Sequence, residues 1–358
     1  MNKKTAPKGV LFRWGEYLPL TSDTPRFSLG EGDTPLVRSE MFANECGLDE
    51  LWFKLESCNP TGSFKDRGMV VAMARAIEVG ATAVLCASTG NTSASAAAYA
   101  AKCGLRAIIL IPEGRVAAGK LSQAIAFGAH IVEVEGNFDR ALQLARELAD
   151  RYAVELVNSV NPYRIEGQKT AAYEICDALG DAPNVLAIPV GNAGNITAYW
   201  KGFRECEQRG FATQLPRMLG FQAAGAAPIV LGRKVSDPQT IATAIRIGNP
   251  ASWEGAVNAR DQSGGLIESV TDAEILEAYE LLARKEGLFV EPASASSFAG
   301  LRKIAKQGFS SGGIGVVVLT GNGLKDPETA SRFEPIAQIK LPDSVEDIAE
   351  VLKLSDRV

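Results

Sequence analysis

The most constraining feature of this sequence is a regular alternation of short apolar segments with longer segments of helical periodicity. From Lys65 onward, apolar runs of about four to seven residues alternate with amphipathic or alanine-rich stretches of about 10–15 residues. Strands this apolar must be covered on both faces, as they are in parallel sheets whose crossover connections are helices. The pattern therefore predicts an α/β fold.

The alternation also predicts how many sheets the chain forms. The predicted strands span residues 51–55, 83–87, 106–111, 131–134, 155–157, 185–189, 217–222, 288–290 and 314–319. The predicted helices span residues 67–79, 94–103, 116–127, 137–151, 164–179, 195–208, 272–286 and 294–306, with a short one near 41–46 and a looser stretch at 220–265. This is more strands than a single open sheet usually contains. We expect two lobes, each a mostly parallel twisted sheet flanked by helices, with the active site in the cleft between them.

The order of the strands suggests where the lobes divide. Four strands between residues 83 and 157 form one compact run. We expect a small α/β lobe of residues 69–158 and a large lobe built from 1–68 and 159–358.

Composition excludes several classes of function. The 358 residues carry a net charge of −5, so nucleic acid is not an expected partner. No apolar run approaches the ~18 residues that span a bilayer. The six cysteines form no C-x-x-C pair, which favours reduced thiols in the cytoplasm over a zinc site, and no secretory signal is visible. With His130 as the single histidine, we expect no metal.

Lys65 is the first candidate for chemistry. It follows a Pro-Thr-Gly turn at 60–62 and precedes apolar residues spaced as on one helix face, so it is predicted at a helix start. A helix N-terminus opposes the charged ammonium, so a lowered pKa and a nucleophilic amine are expected there. The alternative is a solvated lysine beside a salt bridge between Asp66 and Arg67.

Four polar, glycine-containing loops follow predicted strands, at residues 88–93, 158–161, 191–195 and 320–323. Ligands of parallel sheets bind beyond the carboxyl ends of the strands. In the 191–195 loop (Gly-Asn-Ala-Gly-Asn), backbone N–H groups can point toward a bound phosphate. The alternative is a tight strand-to-helix turn without a ligand.

The other three loops are also ambiguous when taken alone. The 88–93 loop (Ser-Thr-Gly-Asn-Thr-Ser) suits a carboxylate or a small anion, but the same residues favour helix caps. Arg164 follows the 158–161 loop and suits phosphate or carboxylate, or is merely solvated. Thr320 offers a hydroxyl to a ligand heteroatom, or opens a turn.

Taken together, these motifs carry a resemblance. In order and separation, the segment 59–68 (Asn-Pro-Thr-Gly-Ser-Phe-Lys-Asp-Arg-Gly) and the 88–93 and 191–195 loops resemble the fold-type II pyridoxal-phosphate enzymes of the tryptophan synthase β-like superfamily. Segments 31–36 (Glu-Gly-Asp-Thr-Pro-Leu) and 291–295 (Glu-Pro-Ala-Ser-Ala) resemble them too. The Ser-Phe-Lys-Asp-Arg and Ser-Thr-Gly-Asn-Thr-Ser forms are similar to those of the threonine synthase family, and this likeness covers nearly the whole chain.

The resemblance implies roles for the cofactor site. Lys65 would be the Schiff-base lysine that holds pyridoxal 5'-phosphate and shuttles protons. Asn91 would hydrogen-bond the 3′ oxygen of the cofactor, and Thr320 would face its pyridine nitrogen. The cofactor phosphate would be held by Gly191, Asn192, Ala193, Gly194 and Asn195.

The resemblance also implies a substrate and a reaction. O-phospho-L-homoserine and water would give L-threonine and phosphate, by γ-elimination and β-addition of water. The candidates for the substrate carboxylate are Ser88, Thr89, Asn91 and Thr92. The candidates for its phosphate are Asn158, Ser159, Arg164 and Asn192. A homodimer is expected from the resemblance alone.

Two rival functions stay open at this point. A threonine or serine dehydratase of the same fold would eliminate at Cβ instead of Cγ. A catalytically silent α/β binding module would need Lys65 to be an ordinary lysine.

Overall fold

The computed structural model describes residues 9–114, 118–136, 138–333, 340 and 344–355. The chain divides into two compact units, Met1–Asp326 and Pro327–Val358. The second unit contains the helices Pro327–Ala330 and Val345–Leu352, which we call α13 and α14. The first unit contains both sheets and the remaining helices.

The described residues form ten strands. They are β1 Leu36–Arg38, β2 Glu50–Leu55, β3 Ala83–Ala87, β4 Arg106–Pro112, β5 His130–Val134, β6 Val154–Leu156, β7 Val185–Pro189, β8 Arg217–Ala223, β9 Leu266–Val270 and β10 Ile314–Leu319. Six of them form one sheet in the order β1-β2-β10-β7-β8-β9, and four form another in the order β5-β4-β3-β6. All pairings are parallel except that of β1 with β2.

Helices connect these strands. The remaining α-helices are α1 Val10–Arg13, α2 Lys65–Glu78, α3 Asn91–Cys103, α4 Ala118–Ala126, α5 Phe138–Arg151, α6 Pro162–Gln168, α7 Thr170–Leu179, α8 Gly194–Gln208, α9 Pro228–Leu231, α10 Trp253–Gln262, α11 Asp272–Lys285 and α12 Pro292–Lys306. All five residues of β3 and all five of β7 are buried, as expected of strands covered on both faces. The predicted fold class, parallel sheets flanked by helices, is confirmed.

Each sheet has its own apolar core. Met69, Met73 and Tyr99 belong to a cluster that packs α2 and α3 against β3 and β4. Tyr173, Tyr199 and Phe203 of α7 and α8 belong to a cluster that packs against β7 and β10. The strands of the four-stranded sheet lie within residues 83–156, and the lobe boundaries at 1–68, 69–158 and 159–358 stay a prediction.

Most predicted elements appear within one to three residues of their expected bounds, but two predictions are wrong. Residues 288–290 form no strand, because Val290 makes only an isolated bridge to Asn322 before the chain enters α12. The helix expected at 164–179 is two helices, α6 and α7, and the Thr170 hydroxyl donates to the Gly167 carbonyl where they meet (2.6 Å).

Several elements lie where the sequence gave weaker signals. The looser stretch at 220–265 contains α10, and β9 begins at its end. The half-buried sequence of β9 includes Glu268 and Ser269, which interrupt its apolar run. The short helix expected near 41–46 is a single 3-10 turn, Asn44–Cys46. Predicted helix residues 116, 117 and 137 lie outside the described residues.

Helices α2 and α6 approach each other closely through two glycines. A Cβ atom added at Gly68 would lie 2.5 Å from the Arg164 carbonyl oxygen, and one at Gly167 would lie 1.9 Å from the Arg67 carbonyl oxygen. Both obstacles are backbone atoms, so neither can move aside without displacing a helix. This contact fixes the distance between the Lys65 helix and the helix that carries Arg164.

We expect the Gly167→Ala substitution to destabilise the protein by about 3 kcal/mol, because the added methyl group forces α2 and α6 apart. Thermal unfolding of the purified variant measures the effect. Gly194→Ala is the control, since its added Cβ would meet only the Ser252 hydroxyl oxygen, at 3.7 Å, and Gly194 has no left-handed backbone at the start of α8. Equal unfolding temperatures for the two variants would contradict the close contact.

Candidate active site

Lys65 is the first residue of α2, as the sequence predicts. The preceding residue, Phe64, donates its backbone N–H to the Thr320 carbonyl at 3.0 Å. Ser63 forms an antiparallel bridge with Gly321 in the same loop. The start of the lysine helix is therefore attached to the loop after β10, and Lys65 and Thr320 are brought together by backbone hydrogen bonds.

The Lys65 amine lies in surroundings that disfavour its charge. Its pKa is lowered to about 7, chiefly by burial and then by the positive charge of Arg164, while Glu291 and Cys86 oppose the shift. The residue is half-buried, yet the protein around the amine is dense enough for desolvation to dominate. Its Nζ lies 4.4 Å from the centre of the Phe64 ring. The lowered pKa agrees with the sequence prediction, but burial is its main cause.

Arg67 belongs to a buried charge network with Glu56, Glu174 and Lys54. Its guanidinium bonds Glu56 at 2.7 and 2.8 Å and Glu174 at 2.6 and 2.6 Å. Lys54 donates to Glu174 at 2.7 Å and to the Thr34 carbonyl at 2.8 Å. Two cations thus face two carboxylates, and all four side chains are at most 4% exposed.

The buried charge network links β2, the turn that follows it, α2 and α7. Burial raises the pKa of Glu174, but Arg67 and Lys54 outweigh burial and bring the pKa down to about 2. The carboxylate therefore stays ionised across the physiological range. The network fixes the orientation of α2, with Lys65 at its start.

Asp66 has partners of its own. It accepts hydrogen bonds from the backbone N–H and the hydroxyl of Thr61 (2.7 and 2.6 Å) and from the hydroxyl of Ser95 (2.6 Å). Burial raises its pKa to about 6, against the pull of these hydrogen bonds. Asp66 ties the turn before Lys65 to α3, while Arg67 pairs elsewhere. The alternative of a salt bridge between Asp66 and Arg67 is not what the structure contains.

The 191–195 loop opens α8 without a side-chain cap. Its N-cap residue, Ala193, has φ of +66°, which few residues other than glycine adopt. Gly191 packs so closely that an added Cβ would lie 2.9 Å from the Ile245 Cα atom. Both polar side-chain atoms of Asn195 are buried and find no partner among the described residues. Free helix N–H groups and an unpartnered amide form a cradle suited to a phosphate.

Asn192 is held at the edge of this loop. Its carbonyl accepts the Ser252 backbone N–H at 3.1 Å, and its side-chain oxygen lies 3.4 Å from the Ala251 nitrogen. Gly194 begins α8, and an added Cβ there would have only the Ser252 hydroxyl in contact, at 3.7 Å. The loop thus keeps open space over the helix start.

The 88–93 loop opens α3, whose first residue is Asn91. Ser88, Thr89, Asn91 and Thr92 are half-buried around an exposed Gly90. The hydroxyl of Ser93 turns back to the Gly90 carbonyl (2.7 Å). The Asn91 amide donates to both oxygens of Glu291, at 3.0 and 3.2 Å.

The loop after β6 places Asn158 and Arg164 differently. Asn158 is clamped to Ala87 by two bonds, accepting its N–H at 2.9 Å and donating to its carbonyl at 2.8 Å. One amide hydrogen of Asn158 is left for a ligand. Ser159 is half-buried beside it.

Arg164 is a buried cation rather than a solvated one. It is 1% exposed and donates to the Val157 carbonyl at 2.7 Å, while its Nε finds no partner among the described residues. Burial lowers its pKa to about 10, so it stays charged at neutral pH. Because no described carboxylate pairs with it, this guanidinium suits an anionic ligand.

Thr320 is buried after β10 and its hydroxyl lies 2.8 Å from the Ser294 hydroxyl. Ser294 accepts the Gly321 N–H at 2.8 Å, so it holds this loop in place. The hydroxyl pair can donate or accept, which suits a neutral ring nitrogen.

The sequence prediction assigned no role to Glu291 or Lys325. Both lie in the charged surroundings of Lys65, since Glu291 acts directly on the Lys65 pKa and Lys325 acts on Glu291. The sequence does contain a signal for Glu291, namely its position. It immediately precedes a helix, as the residues of the other polar loops do. Among the described residues no group of His, Cys, Asp and Glu side chains could hold a metal ion.

Comparisons with known proteins place this site in a family. Residues 27–321 match the profile described as "Pyridoxal-phosphate dependent enzyme", and the chain belongs to that family. Its cofactor is pyridoxal 5'-phosphate. The unpartnered polar atoms of Asn195, the uncapped start of α8 and the low-pKa amine of Lys65 fit this cofactor.

The particular relatives are more specific. The chain is 57% identical to the threonine synthase of Halalkalibacterium halodurans over 347 residues, which is 97% of this chain and 98% of the relative. It is 57% identical to that of Synechocystis over 324 residues, 90% of this chain and 85% of the relative. The structure of maize serine racemase has the same fold, with a TM-score of 0.71 at 22% identity over 84% of this chain and 91% of the other.

We expect the Lys65 amine of the cofactor-free protein to titrate near pH 7, far below the ordinary lysine value of about 10.4. Trace labelling with acetic anhydride at a series of pH values, read by peptide mass spectrometry, measures this pKa. The Arg164→Met variant should raise it, because a positive charge is lost while the volume stays similar. A midpoint near pH 10 in the wild-type protein would contradict the burial of the amine.

A second expectation concerns the buried charge network. A carboxyl group whose pKa is lower in the folded than in the unfolded state stabilises the protein at pH values above its unfolded-state pKa. This stabilisation is lost as the pH falls through the folded-state pKa. For Glu174 the window runs from about pH 4.5 down to about pH 2. Glu174→Gln should destabilise the protein by about 3 kcal/mol at pH 7, because Arg67 and Lys54 lose a buried partner.

Thermal unfolding at pH 7 and at pH 3 tests this expectation. The gap between the wild type and Glu174→Gln should narrow at the lower pH. Glu280→Gln, on the exposed face of α11, is the matched control and should change little at either pH. A gap that is the same at both pH values would show that Glu174 is not ionised in the folded protein.

Proposed function

We propose that the protein is a threonine synthase, which converts O-phospho-L-homoserine and water into L-threonine and phosphate with pyridoxal phosphate as its cofactor. The observation that carries the proposal is the 57% identity to a threonine synthase over 97% of this chain. The buried guanidinium of Arg164 supports it, since the substrate is a phosphate ester, the Arg164 charge acts on Lys65, and no described carboxylate pairs with this guanidinium.

Lys65 is the catalytic residue of this proposal. Its amine would hold the cofactor, and the same amine would act as the base toward the substrate. Bound pyridoxal phosphate stabilises the electron pair left on the substrate when Cα loses a proton. An amine with a pKa of about 7 is partly neutral and partly charged at physiological pH, so Lys65 can take a proton from Cα or Cβ and return it elsewhere.

The positions of the loops support our assignment of the cofactor contacts. Asn91 and Thr320 would bind the ring, at its 3′ oxygen and its nitrogen respectively. The 191–195 loop, Gly191, Asn192, Ala193, Gly194 and Asn195, would hold the phosphate with the free N–H groups at the start of α8. A threonine hydroxyl cannot hold the ring nitrogen protonated as a carboxylate would, which limits charge delocalisation into the ring.

The substrate would be bound at both of its charged ends. We assign its carboxylate to the half-buried donors at the start of α3, namely Ser88, Thr89, Asn91 and Thr92. We assign its phosphate to Asn158, Ser159, Arg164 and Asn192. Of these, Arg164 is the strongest candidate, because a buried cation without a carboxylate partner gains most from an anionic ligand.

The net reaction balances without a further reactant. The bond from Cγ to the phosphate oxygen breaks and phosphate departs with the electron pair. A water molecule then supplies the hydroxyl group on Cβ, and Cγ, a CH2 group in the substrate, receives the one proton that makes it a methyl group. Stray water must be excluded until this addition, which the enclosed position of Lys65 favours.

We also propose a homodimer that works in the cytoplasm. The support for the dimer is the family resemblance. All six cysteines are free thiols, and four of them are buried, which fits a reducing compartment. In the described part of the chain, no helix has the length and apolar character to cross a membrane.

The purified holoenzyme should release phosphate from O-phospho-L-homoserine with an equal amount of threonine. Lys65→Ala should abolish turnover, and Arg164→Lys should raise KM at least about tenfold, because a single ammonium replaces a bidentate guanidinium. Phosphate and amino-acid assays on the same samples provide the measurement.

The rival functions give different results in this experiment. A dehydratase would form a 2-oxo acid from threonine or serine and release no phosphate from the phosphorylated substrate. A binding module would retain no absorbance band of bound pyridoxal phosphate after the free compound is removed by gel filtration, and would turn over neither substrate.

A further inference from the structure

We propose that Glu291 is a positioning residue that orients Asn91 toward the cofactor. The inference rests on the proposed function, in which Asn91 contacts the cofactor ring. Both carboxylate oxygens of Glu291 accept hydrogen bonds from the Asn91 amide nitrogen, at 3.2 and 3.0 Å. No role in the cofactor or substrate contacts proposed above explains this carboxylate.

The contact joins elements that belong to different sheets. Asn91 begins α3, directly after β3 of the four-stranded sheet. Glu291 directly precedes α12, which packs against strands of the six-stranded sheet. The two residues are 200 positions apart in the sequence. The hydrogen bond therefore holds the polar loop of one sheet against the site formed by the other.

Glu291 is placed for this contact and not for helix capping. It occupies the N-cap position of α12, where a carboxylate commonly accepts N–H groups of the first turn, yet its side chain makes no cap hydrogen bond. Its backbone is fixed instead, because its N–H donates to the Gly321 carbonyl at 2.9 Å. The side chain is thus free to reach across to α3.

The neighbouring backbone is shaped around the carboxylate. A Cβ atom added at Gly321 would lie 2.3 Å from Oε1 of Glu291, so only glycine leaves room for it. Gly321 follows Thr320, the residue proposed to face the ring nitrogen. The carboxylate therefore lies between the loop that carries Thr320 and the loop that carries Asn91.

The energetics suggest function rather than stability as the reason for this carboxylate. Glu291 is 5% exposed, and the hydrogen bonds it receives from described side chains come from Asn91. Burial raises its pKa, while Asn91, Lys325 and Lys65 oppose the rise and Asp326 adds to it. Burying a carboxylate with one neutral donor is costly, so the position is poor for stability.

The chemical consequence concerns the orientation of an amide. The two ends of an asparagine side chain are similar in shape but opposite in hydrogen bonding. A carboxylate accepts only, so it selects the orientation in which the NH2 group of Asn91 faces Glu291. The second N–H of the same group is then held in a fixed direction, available to an oxygen of the cofactor.

A double-mutant cycle on the holoenzyme tests the proposal, with the dissociation constant of pyridoxal phosphate as the readout. Asn91→Ala should raise this constant about tenfold, which corresponds to one lost hydrogen bond to a charged or polar ring oxygen. Glu291→Ala should raise it about fivefold in the wild-type background and not at all in the Asn91→Ala background. Glu291→Gln should restore most of the affinity, because its amide oxygen can still accept from Asn91.

A second readout separates positioning from general loosening of the structure. At saturating cofactor, the visible absorbance maximum should shift in Glu291→Ala and stay close to that of the wild type in Glu291→Gln. Glu280→Ala, which removes an exposed carboxylate from α11, is the control and should change neither readout. Thermal unfolding of the cofactor-free variants shows whether each one is folded.

The outcomes distinguish failure of this inference from failure of the proposed function. If Asn91→Ala leaves the dissociation constant unchanged, the assignment of Asn91 to the cofactor is wrong. If Glu291→Ala weakens binding equally in both backgrounds, Glu291 acts independently of Asn91 and the positioning role is overturned. Equal loss in Glu291→Gln and Glu291→Ala would also overturn it.

Discussion

The buried charge network of Arg67 with Glu56, Glu174 and Lys54 is the constraint on which the rest of the site depends. Removing four charges from water is unfavourable, and only near-complete pairing makes their burial tolerable. That requirement sets where α2 lies relative to β2 and α7. Because Lys65 is two residues from Arg67, the network also fixes where the start of α2 and its lysine lie.

The parallel topology explains why the remaining groups converge around that amine. β3, β6, β7 and β10 end at loops that carry the polar candidates, and these strands belong to two sheets. Backbone and side-chain contacts then cross between the loops, from Phe64 to Thr320 and from Asn91 to Glu291. Desolvation in this enclosed region lowers the Lys65 pKa, so the same packing that brings these loops together also favours the neutral form of the amine.

The elements that could be predicted are those whose pattern lies within a few neighbouring residues. Strands such as β3 and β7 are uniformly apolar, and the start of α2 is marked by a turn, so both could be predicted. The edge strand β9 could not, because its half-buried residues include charged and polar ones. The contact of Glu291 with Asn91 could not be predicted, since the two residues lie 200 positions apart and no short sequence pattern connects them. The sequence predicts the low Lys65 pKa from the helix start, whereas burial and the charge of Arg164 lower it, and burial cannot be read from neighbours in the sequence.

The two hydrogen bonds between Asn158 and Ala87 limit how the loops after β3 and β6 can change in length. The Asn158 side chain bonds both the N–H and the carbonyl of Ala87. It therefore extends the hydrogen-bond ladder between β3 and β6 by one step. The polar loops that follow these two strands are therefore held together at their start. A change of length in either loop would have to preserve these two hydrogen bonds, so these loops can change more readily by exchange of side chains than by insertion of residues.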